Sequence, residues 1–286
     1  MFLVVVRQLR RVLLTTLVAG LLGATLVRLS PGFGIDEREM DSRLNRESQS
    51  AARAEHTGER NIGAFYLRYL DNALHGDFGY SLALNRPVAE MIRERLPVTL
   101  VSLGYGAGFG MLAGIVLALA TVSAQSVPLN LISSAMSGLC LSLPAAVIAL
   151  FFLWTGASGR WAIALAVFPH VYRYSKNLLT EARRSAHVMA AEARGVRPAR
   201  VLLAHITAPV LPQLAAVAGV AVSLAFGSCI PVEVLCDSPG IGQLAWKAAL
   251  ARDLPVLVTI TALVAILSVA ANSFADLALA PWRAAK

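Results

Sequence analysis

The sequence predicts an all-α integral membrane protein with six transmembrane helices, from its composition and the recurrence of long apolar runs. Hydrophobic residues make up 57% of the 286 residues, and the mean hydropathy is +0.64. Charged residues make up 15%, well below the roughly 25% of soluble domains. The net charge of +8 does not indicate nucleic-acid binding, because the basic residues fall in a few loops and not along one stripe.

The first transmembrane helix is predicted within residues 1–29. Arg7, Arg10 and Arg11 come before an apolar run from Val12 to Val27. A cleaved signal peptide shows the same order, but the run is long and lacks a clear cleavage site, which favours an uncleaved helix. The three arginines predict a cytoplasmic amino terminus.

An extracytoplasmic loop is predicted over residues 30–97. Within it, Ile62 to Leu74 predicts an amphipathic helix. Its apolar face carries Phe65, Tyr66, Tyr69 and Leu70. Such a helix either lies at the membrane surface or packs on the rest of the loop, and the sequence leaves both open.

The second transmembrane helix, Val98 to Ser123, carries Gly106, Gly110 and Gly114 at intervals of four. This spacing places the three glycines on one face, where small residues let helix backbones approach closely in lipid. The local sequence GYGAGFG lacks the spacing and the strand–turn–helix context of a dinucleotide site, so packing is the favoured role.

The third helix is predicted from Leu129 to Trp154, with a kink at Pro144, and the fourth from Trp161 to Leu179. A basic segment follows, residues 180–207. Arginines at its centre would each cost roughly 3 kcal/mol at the middle of a bilayer, so the segment is predicted to lie in the cytoplasm.

That basic segment is predicted to form two short helices joined by a tight turn. Residues 190–194 are helix formers. Gly195 ends this helix, and Pro198 suits the first turn of the next.

The fifth and sixth helices are predicted at Ala208 to Cys229 and Val256 to Leu279. The outer loop between them, residues 231–255, is expected to hold a partly apolar helix after the turn at Pro239-Gly240. An even number of spans places both termini in the cytoplasm. Cys229 and Cys236 both lie near the predicted outer face, so a disulfide between them is possible.

No catalytic or metal-binding motif occurs, and acidic residues inside the predicted spans are nearly absent. A carrier driven by an ion gradient usually keeps ionisable groups at mid-membrane. The chain therefore resembles a transport protein that does not itself supply the energy for transport. The basic helix pair is a candidate binding site for a separate subunit that supplies it.

At the level of motifs, the chain resembles the permease subunits of binding-protein-dependent ABC importers, in the dipeptide, oligopeptide and nickel branch. Ala191, Ala193, Arg194 and Gly195 match the family's cytoplasmic motif, with His205 and Pro209 after it. Met189 stands where the broader family has glutamate. The segments 65–82 and 86–100 also resemble the family. In the outer loop the matching residues are Glu233, Pro239, Gly240, Gly242, Arg252 and Asp253.

The resemblance implies a non-enzymatic permease in the inner membrane of a prokaryote, with residues 98–286 as its core. Its partners would be a second permease subunit, two cytoplasmic ATPases that bind ATP and Mg²⁺, and an extracytoplasmic solute-binding protein. The chain itself would bind no cofactor, metal or nucleic acid. The residues expected to couple it to the ATPase are Met189, Ala190, Ala191, Glu192, Ala193, Arg194, Gly195, Arg197, Arg200 and His205.

Three alternatives remain open from the sequence. The chain could be a non-transporting scaffold or degenerate permease, as Met189 suggests. It could import nickel or glutathione instead of peptides. A secondary carrier is disfavoured by the scarcity of membrane-embedded charge.

Overall fold

The computed structural model describes residues 10, 14–18, 20–23, 25, 62–81 and 83–278, and these are predominantly helical. The rest of the predicted first span, and the charged stretch 36–60, lie outside the described residues. The elements are α1 (Ile62–Leu74), β1 (Tyr80–Ser81), β2 (Arg86–Pro87), α2 (Val88–Ala124), α3 (Val127–Ser142), α4 (Ala145–Trp154), α5 (Arg160–Arg183), α6 (Ala186–Ala193), α7 (Pro198–Arg200), a π-helix (Val201–Thr207), α8 (Ala208–Leu235), α9 (Ile241–Leu250) and α10 (Leu254–Ala278).

Three helices among the described residues are long and apolar enough to cross a membrane: Val88–Ala124, Pro198–Leu235 and Leu254–Ser273. The bent pair α3 and α4 would make a fourth if it forms a single span. The structure therefore supports an all-α membrane protein, while the count of six spans goes beyond these helices.

The predicted third span is not one kinked helix but two helices at 97° to each other. The break falls at Leu143, which is extended with φ −88° and ψ 121°. The ring of Pro144 disfavours the helical conformation at the residue before it. The proline thus ends α3 and starts α4 afresh.

The predicted fourth span lies within α5, but α5 is not among the helices apolar enough to cross a membrane. Its second half carries Arg173 and Lys176. Lys176 donates to Ser134 Oγ of α3 at 2.8 Å and lies 5.5 Å above the ring of Tyr172. The prediction of a fourth span depended on the apolar first half of α5. The sequence shows the basic residues of the second half but not the partners of Lys176.

Two helices extend into the predicted outer loops. Helix α2 begins at Val88 instead of Val98, and Arg86, just before it, forms ion pairs with Glu90 at 2.8 Å and Glu94 at 2.7 Å. Helix α8 continues through Pro231 to Leu235. Proline is tolerated inside membrane helices because neighbouring groups can satisfy the carbonyl that it leaves free.

The described residues fall into two compact units, one within residues 1–95 and 244–266 and one within 96–243 and 267–286. In the first unit, Tyr66 and Tyr69 of α1 pack on Leu254 and Val258 of α10. The Tyr69 hydroxyl donates to Thr259 Oγ1 at 3.0 Å. The aromatic face of α1 thus packs on the start of the last helix, which neither sequence alternative anticipated.

The second unit contains two apolar clusters. One joins α2, α4, α5 and α8, with Ile163, Val167 and Ala225 fully buried at its centre. The other joins α2, α5, α6, the π-helix and α8. Cys229 and Cys236 are both free thiols. The basic helix pair packs on the second of these apolar clusters.

Candidate functional site

The basic helix pair is organised around α6, whose two sides differ in burial. Val188 and Ala191 are buried, at 0% and 1% exposure, and pack into the second apolar cluster. Met189, Ala190, Glu192 and Ala193 are exposed. One side therefore fastens α6 to its own chain, and the described part of the chain leaves the other side uncovered.

A glycine turn ends α6. Gly195 has φ +72°, and nothing lies within 4 Å of where its Cβ would be, so backbone conformation and not space requires glycine. Its N–H donates to Glu192 O at 2.9 Å, and the Val196 N–H donates to Ala191 O at 3.2 Å. These two bonds form a Schellman motif, which satisfies the last carbonyls of the helix.

The second helix of the pair is long, whereas the sequence predicted a short one. It starts at Pro198 and runs without a break through the π-helix to Leu235. Pro209 has no N–H to donate to the His205 carbonyl four residues earlier. That carbonyl instead accepts a hydrogen bond from His187 Nε2 at 3.0 Å. The bond ties the first helix of the pair to the base of the second.

The exposed side of the pair is basic. Arg194, Arg197 and Arg200 are all exposed, and the Arg194 Nε donates to Ala190 O at 3.1 Å. Glu192 is paired with Arg183 at the end of α5, at 3.2 Å. The surface thus offers three exposed guanidinium groups, while its carboxylate is already engaged within the chain.

The structure brings most of the predicted coupling residues to one surface. Met189, Ala190, Glu192, Ala193, Arg194, Gly195, Arg197 and Arg200 are exposed together. Ala191 differs, because its side chain is buried against the chain's own core. Its small size serves packing inside the chain and not the close approach of a partner. His205 is half-buried in the π-helix.

In the predicted outer loop, the carboxylate of Glu233 is buried at 1% exposure in α8. It accepts hydrogen bonds from Thr99 Oγ1 and from the Gly242 N–H, both at 2.7 Å. The Ile241 N–H donates to Thr99 Oγ1 at 2.8 Å. Because the first N–H groups of a helix lack internal partners and carry partial positive charge, Glu233 acts as the internal anion for the start of α9.

The glycines before and at the start of α9 make room for this carboxylate. A Cβ at Gly240 would overlap the Glu233 carboxyl group, and one at Gly242 would lie 2.8 Å from the Ile230 Cα. Pro239 precedes them in the turn after α8. These glycines are therefore required by close approach, in contrast to Gly195.

Arg252 and Asp253 lie in the other unit and form a separate cluster. Asp253 is 6% exposed and precedes α10, where its Oδ1 accepts from the Val256 N–H at 3.4 Å. Its Oδ2 accepts from Ser81 Oγ at 2.5 Å. Arg252 is exposed with φ +53°. Asp253 thus caps the last helix and holds the β-hairpin. Glu233 and Asp253, the two acids matched in the predicted outer loop, are both buried and not surface groups.

The glycine ridge of α2 faces α5. A Cβ at Gly106 would lie 2.5 Å from Ile163 Cγ2, one at Gly110 2.6 Å from Ala164 O, and one at Gly114 2.9 Å from the Tyr172 backbone N. Gly104 and Gly108, on other faces, have nothing within 4 Å of a Cβ. The spacing of four places the ridge where the two backbones meet.

Sequence reasoning missed four residues that hold these sites: Ser81, Thr99, Arg183 and His187. Hydroxyl residues such as Ser81 and Thr99 gave no local signal, because their partners lie more than 130 positions away. Arg183 and His187 lie within the basic segment 180–207, where the sequence shows their charge but not their partners Val122 and His205. The role of these polar residues depends on which distant groups they bond to, and only the folded structure shows those partners.

No group of three or more His, Cys, Asp or Glu side chains among the described residues could hold a metal ion. The second unit contains an apolar cavity of about 440 Å³, lined by residues of α2, α8 and the second half of α10. Its lining is almost entirely apolar and includes Leu103, Gly108 and Phe226. It offers an apolar surface for packing.

Comparison with known proteins gives one family and several relatives. The family described as "Binding-protein-dependent transport system inner membrane component" matches residues 110–280. A Brucella suis biovar 1 protein named as a peptide permease is 25% identical, with 89% of each chain covered. The glutathione transport system permease protein GsiC of Shigella flexneri is 28% identical over 67% of this chain and 69% of its own. The oligopeptide transport system permease protein AppB of Bacillus subtilis is 25% identical over 74% and 76%.

Proposed function

This chain belongs to the family of binding-protein-dependent transport system inner membrane components, and we propose that it moves peptides or similar small solutes inward. It is a multi-pass inner-membrane permease subunit of an ABC importer, working with an ATPase and a solute-binding protein. The names of the relatives support a peptide-like solute, since they include peptide, oligopeptide and glutathione permeases. Glutathione and nickel remain the alternative cargoes.

The observation that carries the coupling proposal is the two-sided burial of α6. Buried Val188 and Ala191 hold the helix to the chain, while Met189, Ala190 and Ala193 are exposed. A helix that is rigidly held and uncovered on its outer side is suited to fit into a cleft of an ATPase. The exposed arginines would pair with acidic groups at the rim of that cleft.

The full architecture is part of the same proposal. Six spans with both termini in the cytoplasm would place the basic helix pair inside and the Glu233 turn outside. Two ATPase subunits would bind ATP and Mg²⁺, and a second permease would complete the pathway. The loops at 30–97 and 231–255 would receive the solute-binding protein. Since Glu233 and Asp253 are buried, docking would use other residues of those loops.

Two substitutions at one position test the coupling surface. Gly195→Arg and Gly195→Ala strain the backbone equally, since both place a side chain at φ +72°. They differ in what projects from the surface. We expect the alanine variant to retain ATP-dependent uptake, and the arginine variant to lose it while still inserting into the membrane.

The measurement is uptake of a labelled tripeptide and of labelled glutathione. It uses right-side-out membrane vesicles loaded with ATP that contain the chain together with its ATPase, second-permease and solute-binding partners. Full uptake by the arginine variant would refute the coupling surface. Failure of the wild-type chain to bind any ATPase would instead favour the non-transporting scaffold.

A further inference from the structure

One arginine outside the family motif connects three helix ends next to α6. Arg183 is the last residue of α5. Its Nη1 donates to Val122 O, near the end of α2, at 2.8 Å. Its Nη2 pairs with Glu192 Oε1 of α6 at 3.2 Å. With the Gln125 amide oriented so that its oxygen faces Arg183, that oxygen accepts from Nε at 2.7 Å.

The contact at α2 satisfies a group that the helix cannot satisfy itself. Val122 lies in the last four residues of α2, whose carbonyls have no donor within the helix. These carbonyls carry the negative end of the helix dipole, so a cation there is stabilising. A planar guanidinium can serve this carbonyl and a carboxylate at once, which an ammonium group does poorly.

The chain leaves α2 through a backbone conformation that few residues adopt. Gln125 has φ +49°, which costs of order 1 kcal/mol or more in a residue with a side chain. Its contact with Arg183 helps to hold it there. The arginine therefore fixes the geometry of the chain at the end of α2 as well as the position of α6.

Partial burial of the arginine and its bond to the backbone distinguish this contact from an ordinary surface pair. The Arg183 side chain is 24% exposed and Glu192 46%, and the guanidinium also bonds to the backbone. Exposed pairs contribute little because water screens them and both side chains must be ordered. Here the three helices are already fixed by packing, since Val122 of α2, Leu179 of α5 and Val188 of α6 belong to one apolar cluster.

We propose that Arg183 is a positioning residue that passes movement of α6 to the end of α2, in addition to the covalent route from α6 into α8. This rests on the proposed function, in which an ATPase moves α6. The glycine ridge packs α2 closely on α5, against Ile163, Ala164 and Tyr172. A push on α6 would therefore reach α2 and α5 together through one guanidinium.

The test measures uptake of labelled tripeptide per ATP hydrolysed in vesicles containing the whole transporter. We expect Arg183→Gln to lower this ratio about fivefold, as loss of a charged hydrogen-bond partner weakens the connection, while ATP hydrolysis continues. Arg183→Lys should recover part of it. Arg184→Gln removes the same charge from the exposed neighbouring position and should leave the ratio unchanged.

A merely structural role would lower the amount of transporter, so that uptake and hydrolysis fall together and their ratio stays constant. That result, with an active wild type, would overturn the proposal for Arg183. If Arg183→Gln does not assemble, Glu192→Gln carries the test, because its change is confined to a half-exposed side chain. It should lower the ratio in the same direction, and add nothing to the effect of Arg183→Lys if the two act through one contact. An inactive wild type would instead refute the proposed function.

Discussion

Two glycine turns, one after α6 and one before α9, use the same residue for different physical reasons. At Gly195 there is open space around the α-carbon, and the positive φ demands glycine. At Gly240 a side chain would overlap the Glu233 carboxyl group. The first turn closes its helix with its own backbone bonds and leaves a surface exposed. The second buries an acid beneath the start of a helix.

The two turns therefore differ in exposure: the turn at Gly195 borders an exposed surface, and the turn at Gly240 covers a buried hydrogen-bonded acid. Around Gly195, the functional groups of the motif point away from the core, apart from Ala191. Around Gly240, the carboxylate of Glu233 is buried and accepts hydrogen bonds from Thr99 and Gly242. Motif residues thus lie exposed at Gly195, where the proposed ATPase contact would use them, and buried at Gly240, where they stabilise the fold.

The largest effect is expected from removing the buried acid. Glu233→Ala leaves the Thr99 hydroxyl and the Gly242 N–H without their acceptor, and should lower the free energy of unfolding by about 3 kcal/mol. Unfolding of the purified chain in detergent micelles, with helix content followed by circular dichroism, measures this. Glu181→Ala, at an exposed acid, is the control. Equal stability of the two variants would show that the buried Glu233 carboxylate does not stabilise the fold.

A smaller loss is expected for Gly240→Ala. The added Cβ must displace a carboxyl group that is held by two hydrogen bonds, at a cost of about 2 kcal/mol. In the Glu233→Ala background the obstacle is gone, so the same substitution should cost much less. The same unfolding measurement on the four chains of this cycle decides it. Additive losses would contradict the steric explanation.

The smallest effect is expected for Gly195→Ala, where only backbone strain is added. The loss should be about 1 kcal/mol, independent of the Glu233 background. Gly227→Ala is the matched control, because that glycine is helical and also has nothing within 4 Å of a Cβ. It should be neutral or slightly stabilising. A loss at Gly195 as large as that at Gly240 would erase the distinction between the two turns.

Sequence patterns predicted the parts of the fold that depend on local chemistry. The ridge of Gly106, Gly110 and Gly114 follows from helical spacing alone, and the helix stop at Gly195 follows from its backbone preference. The bounds predicted for α1 also match the structure. At Pro144 the sequence predicts only a kink. The angle of the bend could not be predicted, because it depends on what the two helices pack against.

The remaining errors have one physical origin. Extension of α2 and α8 past their predicted ends, and the polar side of α5, depend on partners elsewhere in the chain, such as Ser134 for Lys176. Periodicity identifies a face but not its neighbour. The same limit hid Thr99, whose bond to Glu233 spans 134 positions.

By itself the sequence determined the membrane class, the helical elements and the motif that identifies a permease, because hydropathy, helix stops and motif spacing are local properties of the chain. Only the tertiary structure decided which motif residues face outward. It turned Ala191 into the core, sealed Glu233 beneath α9, and placed Arg183 at the meeting point of three helix ends. Burial and hydrogen-bond partners depend on distant segments coming together, and no local pattern encodes them.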